Sequence, residues 1–383
     1  MDFALDGRTA LVVDTSLPRW IILQLLEHCN LRCPMCYQWG ENGPYREKKT
    51  LSRLDIEVIR RVIDDCEPAR PYYELYGGEP LLHPQIEDVL RAIRSAGSKF
   101  QLSTNGVLLA RYAELLVETA PERIWVSLDG PPEINDRQRG EGVFARAVEG
   151  IDAVRALHER LGAADPLIGV STVVTPLNHR HLESFLFDAL DLGKLDCLSI
   201  ELQAYLTDRD HRDYERVLQR EFSVASAPAA RGFVNDPAIF AGMDFGLLAR
   251  QVARIAARCQ EMGLYLNTYP KVMSEENIRK YFSADWFSMS WVKRRCPFPW
   301  LSTEISARGE VTTCHAFYDL SLGNVNASGI VEIWRGERYE RYRKYLRKSL
   351  LPICQSCYLF YNQKPPTSGS NRRDGGNHHH AAR

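Results

Sequence analysis

The chain has 383 residues, 45% apolar and 25% charged, enough for one large folded domain with a smaller one beside it. Its 48 basic residues against 49 acidic ones give a formal charge of −1, which removes any general electrostatic reason to expect nucleic acid or an anionic membrane as partner. The opening stretch MDFALDGRTALVVD carries early acids and no long apolar core, and no apolar run reaches bilayer length. A cytoplasmic protein without secretory signal or membrane span is therefore expected.

Residues 20–28 (WIILQLLEH) form a dense apolar run that suits a buried strand and ends at Cys29. Ser52 and Asp55 resemble a capping box, and Leu54, Val58, Ile59 and Val62 then repeat at helical spacing. Tyr72–Tyr76 (YYELY) reads as the next strand, closed by Gly77 and Gly78. Ile86, Val89, Leu90 and Ile93 share a helical face that stops at Gly97. The alternation continues with strands at Phe100–Ser103, Ile124–Leu128, Ile168–Val174 and Leu198–Leu202, separated by helical stretches near 110–119, 143–161 and 181–192.

Six strand–helix units in a row imply an α/β fold with a parallel sheet. The reading preferred here is a partial (β/α)6 TIM-like barrel, with the active site at the C-terminal ends of the strands and an open doubly wound sheet as the alternative. The expected division is an N-terminal extension over 1–19, the barrel over 20–205 and a mostly helical connection over 206–290. A small cysteine-bearing C-terminal domain over 291–363 and a disordered tail over 364–383 complete it.

Ten cysteines are many for a chain with no sign of export, and their grouping points to metal ligation rather than disulfides. Cys29, Cys33 and Cys36 form C-x3-C-x2-C directly after the first strand. Three thiolates hold three irons of a cubane cluster and leave the fourth open; the competing zinc reading prefers paired C-x2-C hooks and four closed ligands. Cys296, Cys314, Cys354 and Cys357 form a late group, with a hairpin turning at Arg308–Gly309 between the first two. Spacing alone fits these four to one cubane or to one zinc ion. Cys66, Cys197 and Cys259 are singletons.

HCNLRCPMCY (28–37) followed by YGGEP (Tyr76–Pro80) resembles the radical S-adenosylmethionine (SAM) superfamily. Met35 occupies a position that is apolar or aromatic in that family, next to Cys36 and Tyr37. The resemblance continues through STNG (Ser103–Gly106) and SLDG (Ser127–Gly130) and covers roughly residues 20–205. It implies a [4Fe–4S] cluster on Cys29, Cys33 and Cys36, with SAM held around Met35, Tyr37, Gly77, Gly78, Glu79, Pro80, Ser103 and Asn105. Ser127 and Asp129 become candidates for the ribose or methionine portion of SAM, and Arg139 for its carboxylate. The late block, C-x12-G-x4-C then C-x2-C, resembles the auxiliary-cluster region called SPASM, or its shortened form Twitch. No cysteine follows Cys357, so one auxiliary [4Fe–4S] cluster on Cys296, Cys314, Cys354 and Cys357 is expected, two clusters in all.

The implied chemistry is reductive cleavage of SAM and hydrogen-atom abstraction from a carbon, with electrons from a flavodoxin- or ferredoxin-type donor. The expected substrate is a small natural product of sugar or aminocyclitol type, oxidised with help from the auxiliary cluster. The rivals are a peptide maturase, which the short stretch before Trp20 disfavours by leaving no room for a leader-binding domain, and a non-catalytic metal-binding scaffold. Glu201 and Gln203 share a face at the end of the sixth strand and, with Tyr205, are candidates to touch substrate. Cys197 and Cys259 are candidate hydrogen-atom donors, and Tyr269 and Lys271 belong to a candidate lid or an ordinary loop.

Overall fold

The computed structural model describes residues 16–290, 296–315 and 317–357. The expected tail over 364–383 and most of the N-terminal extension lie outside these. Ten strands form a single sheet: β1 (Trp20–Gln24), β2 (Tyr72–Tyr76), β3 (Phe100–Thr104), β4 (Arg123–Ser127), β5 (Leu167–Val174), β6 (Cys197–Leu202), β7 (Tyr265–Tyr269), β8 (Ser302–Ile305), β9 (Glu310–Thr312) and β10 (Gly323–Asn324). Their order is β10-β9-β8-β1-β2-β3-β4-β5-β6-β7. From β8 through β7 every neighbouring pair is parallel, while β9 runs antiparallel to both β8 and β10. The edges β7 and β10 do not meet, so the sheet is a partial TIM-like barrel left open.

The six expected strands are present, and two more parallel strands flank them. β7 falls within the stretch expected to be mostly helical, and β8 comes from the expected C-terminal domain yet pairs with β1, Ile22 opposite Glu304. The barrel and the cysteine-bearing region therefore share one sheet. Each strand alternates between a helix-facing apolar set and a lumen-facing set that is partly polar. On β4, Ile124 and Val126 are fully buried under the helices while Arg123, Trp125 and Ser127 are half-buried on the inner face. The helix Ile56–Cys66 is capped by Asp55, whose side chain accepts from Glu57 N; Ser52, expected to share that role, instead gives its backbone N–H to Glu27 at 2.8 Å. No described helix is long and apolar enough to cross a membrane.

Candidate active site

Because β8 through β7 run parallel, the loops after their carboxyl ends gather on one side, and the predicted site residues collect there. The loop after β1 carries Cys29, Cys33 and Cys36, all half-buried. It is anchored by buried Glu27, whose carboxylate accepts from Lys48, from Ser52 N and, at 3.0 Å, from Arg308 in the β8–β9 hairpin. Two backbone N–H groups point at sulfur, Leu31 at Cys29 and Trp39 at Cys36, each at 3.4 Å. Asn105 approaches Cys29 Sγ at 3.9 Å. Burial pushes the Cys29 thiol up to about 12 and the Cys33 thiol to about 11, the latter opposed by the nearby Arg139 guanidinium.

GGEP also makes contacts within the protein. Gly77 and Gly78 make room for protein backbone: a Cβ on Gly78 would lie 1.9 Å from the His28 carbonyl oxygen, and one on Gly77 2.5 Å from that of Leu26. Gly78 N and Glu79 N donate to the Leu26 and His28 carbonyls at 2.8 Å each, so the loop clamps the chain just before Cys29. Glu79 is fully buried, and both its oxygens already accept protein donors: Thr104 at 2.7 Å, Asn105 N at 2.8 Å and Leu81 N at 3.2 Å. Burial lifts its carboxyl to about 7. Thr104 and Asn105 are thereby tied to the glycine loop, and buried Pro80 opens the turn beyond it. Ser103 and Ser127 lie half-buried on the lumen faces of β3 and β4.

Asp129 has no exposure and bonds Arg139 Nε at 2.6 Å, Gln138 at 2.8 Å and Val173 N at 2.8 Å. Arg139 ends the helix Pro132–Arg139 with its side chain 9% exposed. It is thus a fixed cation beside Cys33 and Cys36 rather than a solvated loop arginine.

The four late cysteines also come together. Cys354 experiences Cys314, Cys296 and Cys357 electrostatically, and Cys314 Sγ lies 2.7 Å from the Tyr342 hydroxyl. Among the described residues, no three His, Cys, Asp or Glu side chains close on one point as around a single ion. The two cysteine loops are joined by a three-ring stack. Tyr37 lies 4.5 Å from Phe233, and Phe233 4.6 Å from Phe317. Their segment is pinned on both sides: Asn42 Nδ2 donates to Val234 O at 3.1 Å, and Asp319 accepts from Ala229 N and Ala230 N at 2.7 and 2.9 Å. This stretch carried no readable chemistry in the sequence.

Sequence reasoning found Glu201 but missed the rest of the polar lining of the lumen. Glu304 on β8 accepts from Tyr76 and Tyr318, and its other oxygen lies 3.1 Å from His315 Nδ1, next to Cys314. The His315 ring packs 4.9 Å from Tyr76. Glu74 stands on the inner face of β2 between Tyr72 and Tyr76, and Glu201 on β6 accepts from Ser199 at 2.9 Å and Ser171 at 3.2 Å. The signal for Glu74 was available as a lone acid at the centre of YYELY. By contrast Cys197 begins β6 against Gly169 and Trp125, at the opposite end of the strand from Glu201, and Cys259 is buried in the helix Phe245–Met262. Tyr205 packs with Phe240 and Trp286 and donates to Tyr281 O at 2.9 Å, away from the lumen. Tyr269 closes β7 beside Lys271, so the candidate lid begins as a strand.

Comparison with known proteins accounts for both cysteine groups. Residues 23–189 match the radical SAM superfamily, and residues 296–358 match the SPASM iron–sulfur cluster-binding domain. The chain carries a radical SAM domain followed by a C-terminal SPASM domain. It is 25% identical over 364 residues to a tungsten-containing aldehyde ferredoxin oxidoreductase cofactor-modifying protein of Pyrococcus furiosus, covering 89% of this chain and 87% of that one. It is 33% identical over 171 residues to a GTP 3',8-cyclase of Microcystis aeruginosa, covering 43% of this chain and half the length of that relative. Its fold resembles Streptococcus suis SuiB bound to precursor peptide SuiA (TM-score 0.60, 16% identity, 90% of this chain and 71% of that one). It also resembles native anSMEcpe with bound AdoMet (TM-score 0.56, 17% identity, 89% and 88%).

A radical SAM domain implies SAM and a [4Fe–4S] cluster, and a SPASM domain implies further iron–sulfur clusters. The donors present fit these groups: largely enclosed thiols in two sets, N–H groups aimed at sulfur, and a fixed cation next to the first set. Thiols held protonated by burial release their protons on metal binding, which makes loading depend on pH.

Proposed function

We propose that this radical SAM enzyme abstracts a hydrogen atom from a carbon of a small polar natural product, of sugar or aminocyclitol type, in a net oxidation in the cytoplasm. Cys29, Cys33 and Cys36 would hold the SAM-cleaving cluster, and Cys296, Cys314, Cys354 and Cys357 one auxiliary [4Fe–4S] cluster, which would supply a one-electron acceptor while a lumen carboxylate takes the substrate's proton. A flavodoxin- or ferredoxin-type protein supplies the first electron. When bound, the reduced cluster and SAM supply a 5′-deoxyadenosyl radical.

The chain's own part is binding, orientation and exclusion of water. The glycine clamp and Glu79 fix the backbone around the first cysteine loop and Asn105. Arg139, locked by Asp129, presents a guanidinium edge suited to the SAM carboxylate, and Met35, Tyr37, Ser103 and Ser127 complete the pocket walls. One observation carries the substrate class. The lumen above the strand ends is lined with hydrogen-bonding groups from both halves of the chain: Glu74, Tyr76 and Glu201 from the barrel, Glu304, His315 and Tyr318 from the C-terminal region. Such a lining suits a compact, polyhydroxylated molecule.

The test is anaerobic reconstitution followed by reductive cleavage of SAM, beside a Cys29/Cys33/Cys36→Ala variant. The expected result is 5′-deoxyadenosine only with the intact triplet, and iron falling from about eight to about four per chain in the variant. Zinc on the late cysteines would overturn the auxiliary-cluster assignment. Loaded clusters without any cleavage would favour a scaffold, and deuterium transfer from a peptide instead of a small molecule would favour a maturase.

A further inference from the structure

We propose that Glu74 and Glu201 are the receptor for a cationic amine on the substrate, and that Gln203 reads a neighbouring hydroxyl. This rests on the reading above that the lumen is the substrate site, and narrows the substrate to an amine-bearing one.

Strand alternation fixes the placement. Tyr72, Glu74 and Tyr76 share the inner face of β2, and Cys197, Ser199 and Glu201 that of β6. Gln203 N bonds Val174 O at 3.1 Å, which carries the ladder one step further and sets Gln203 on the same face as Glu201.

Charge then identifies the missing partner. The groups acting most on Glu74 are His315, Glu304, Gln101 and Glu201; those on Glu201 are Ser199, Ser171, His315 and Asp129. Among the described residues, the cation that acts on both Glu74 and Glu201 is His315, which Glu304 holds, while Arg123 stands at the far end of the inner face of β4. Neither Glu74 nor Glu201 forms an ion pair with a lysine or arginine among the described residues. Lys271, beyond β7, bonds Asn267 and lies 5.2 Å over the Tyr269 ring. Burial pushes both carboxyls up, the expected response of acids that lack a countercharge.

Gln203 supplies an independent sign. It is 7% exposed, and its side-chain amide makes no hydrogen bond to any described residue. The amide is accessible from the lumen rather than sealed off, so a ligand hydroxyl can reach it. An ammonium between the carboxylates, with a hydroxyl reaching Gln203, satisfies all three.

The experiment is isothermal titration of the reconstituted, SAM-loaded enzyme with 2-deoxystreptamine, glucosamine and spermidine, against the uncharged myo-inositol and glucose. At least one amine should bind roughly tenfold or more tighter than its uncharged counterpart, as a charge-assisted contact provides. Glu74→Gln and Glu201→Gln, which keep side-chain shape, should each remove that preference while SAM binding persists. Gln203→Leu should weaken the hydroxylated amines and leave spermidine unmoved. Amines binding no better than the neutral compounds, or binding the variants equally well, would overturn the inference even where 5′-deoxyadenosine forms. Carboxylate-dependent amine binding in a protein that never cleaves SAM would instead leave this inference standing and sink the radical reading.

Discussion

Replacing Phe233 by alanine should damage both cysteine sites at once. The ring is 6% exposed and gripped on both faces, inclined 11° to Tyr37 and 24° to Phe317. Truncating a buried phenylalanine removes about 3–5 kcal/mol, and each stacked pair accounts for about 0.5–1.5 kcal/mol beyond simple burial. Relaxation into the gap is opposed because the segment is tied on several sides: to Asn42, to Asp319 and, through Leu206 N to Phe233 O at 2.8 Å, to the chain after β6. The expected loss therefore lies at the upper end of that range, while Phe233→Leu, which keeps most of the apolar bulk but loses both stacked contacts, should lose about 1–3 kcal/mol. Urea unfolding of the metal-free protein under reducing, anaerobic conditions measures it, and electron paramagnetic resonance of the reconstituted protein should show both clusters perturbed. A loss below about 1 kcal/mol, or a spectral change confined to one cluster, would refute the account of the stack as a shared support.

Gly78→Ala forces a methyl group against the His28 backbone, which has no flexible side chain to yield, so it should strip iron from the first cluster while the late cysteines keep theirs. Iron counting against the Cys29/Cys33/Cys36→Ala variant checks this. Arg139→Met leaves Asp129 buried without its cation and should destabilise the fold by about 3–5 kcal/mol in chemical denaturation, whereas Arg139→Lys should cost less. Burial raises Asp319 from 3.8 to about 6, so its contribution to stability is complete below pH 3.8 and is lost as pH rises through about 6. Asp319→Asn removes that titration, so the stability difference between wild type and variant should shift towards the variant from pH 4 to 6; a difference constant with pH would count against it.

What the sequence revealed was what neighbouring residues encode. The triplet at Cys29, the glycines after β2 and the order of the first six strands depend on local spacing, and all could be read. Contacts across distant parts of the chain could not. Tyr265–Tyr269 shows only a short polar–apolar alternation, and its strand character comes from pairing with β6. The hairpin at Arg308–Gly309 announces β8 as a strand, but nothing near Ser302 announces that its other edge pairs with β1. The glycines of GGEP could be read as special positions, but not their close approach to the Leu26 and His28 backbone. Glu304 and His315 enter the lumen only because β8 joins the barrel, whereas Glu74 was legible from alternation alone and was passed over.

The pairing of β8 with β1 also bears on how the molecule is made. Gln24 Oε1 accepts from Ala307 N at 3.0 Å, between residues 283 positions apart. During synthesis the strand leading into Cys29 therefore emerges early but keeps one open flank until nearly the whole chain has left the ribosome. An unpaired parallel edge invites mispairing, and contacts this distant in sequence form slowly. The late segment thus acts as a latch on the birth of the first cysteine loop, and cells expressing a chain halted before Ser302 should accumulate it as aggregate.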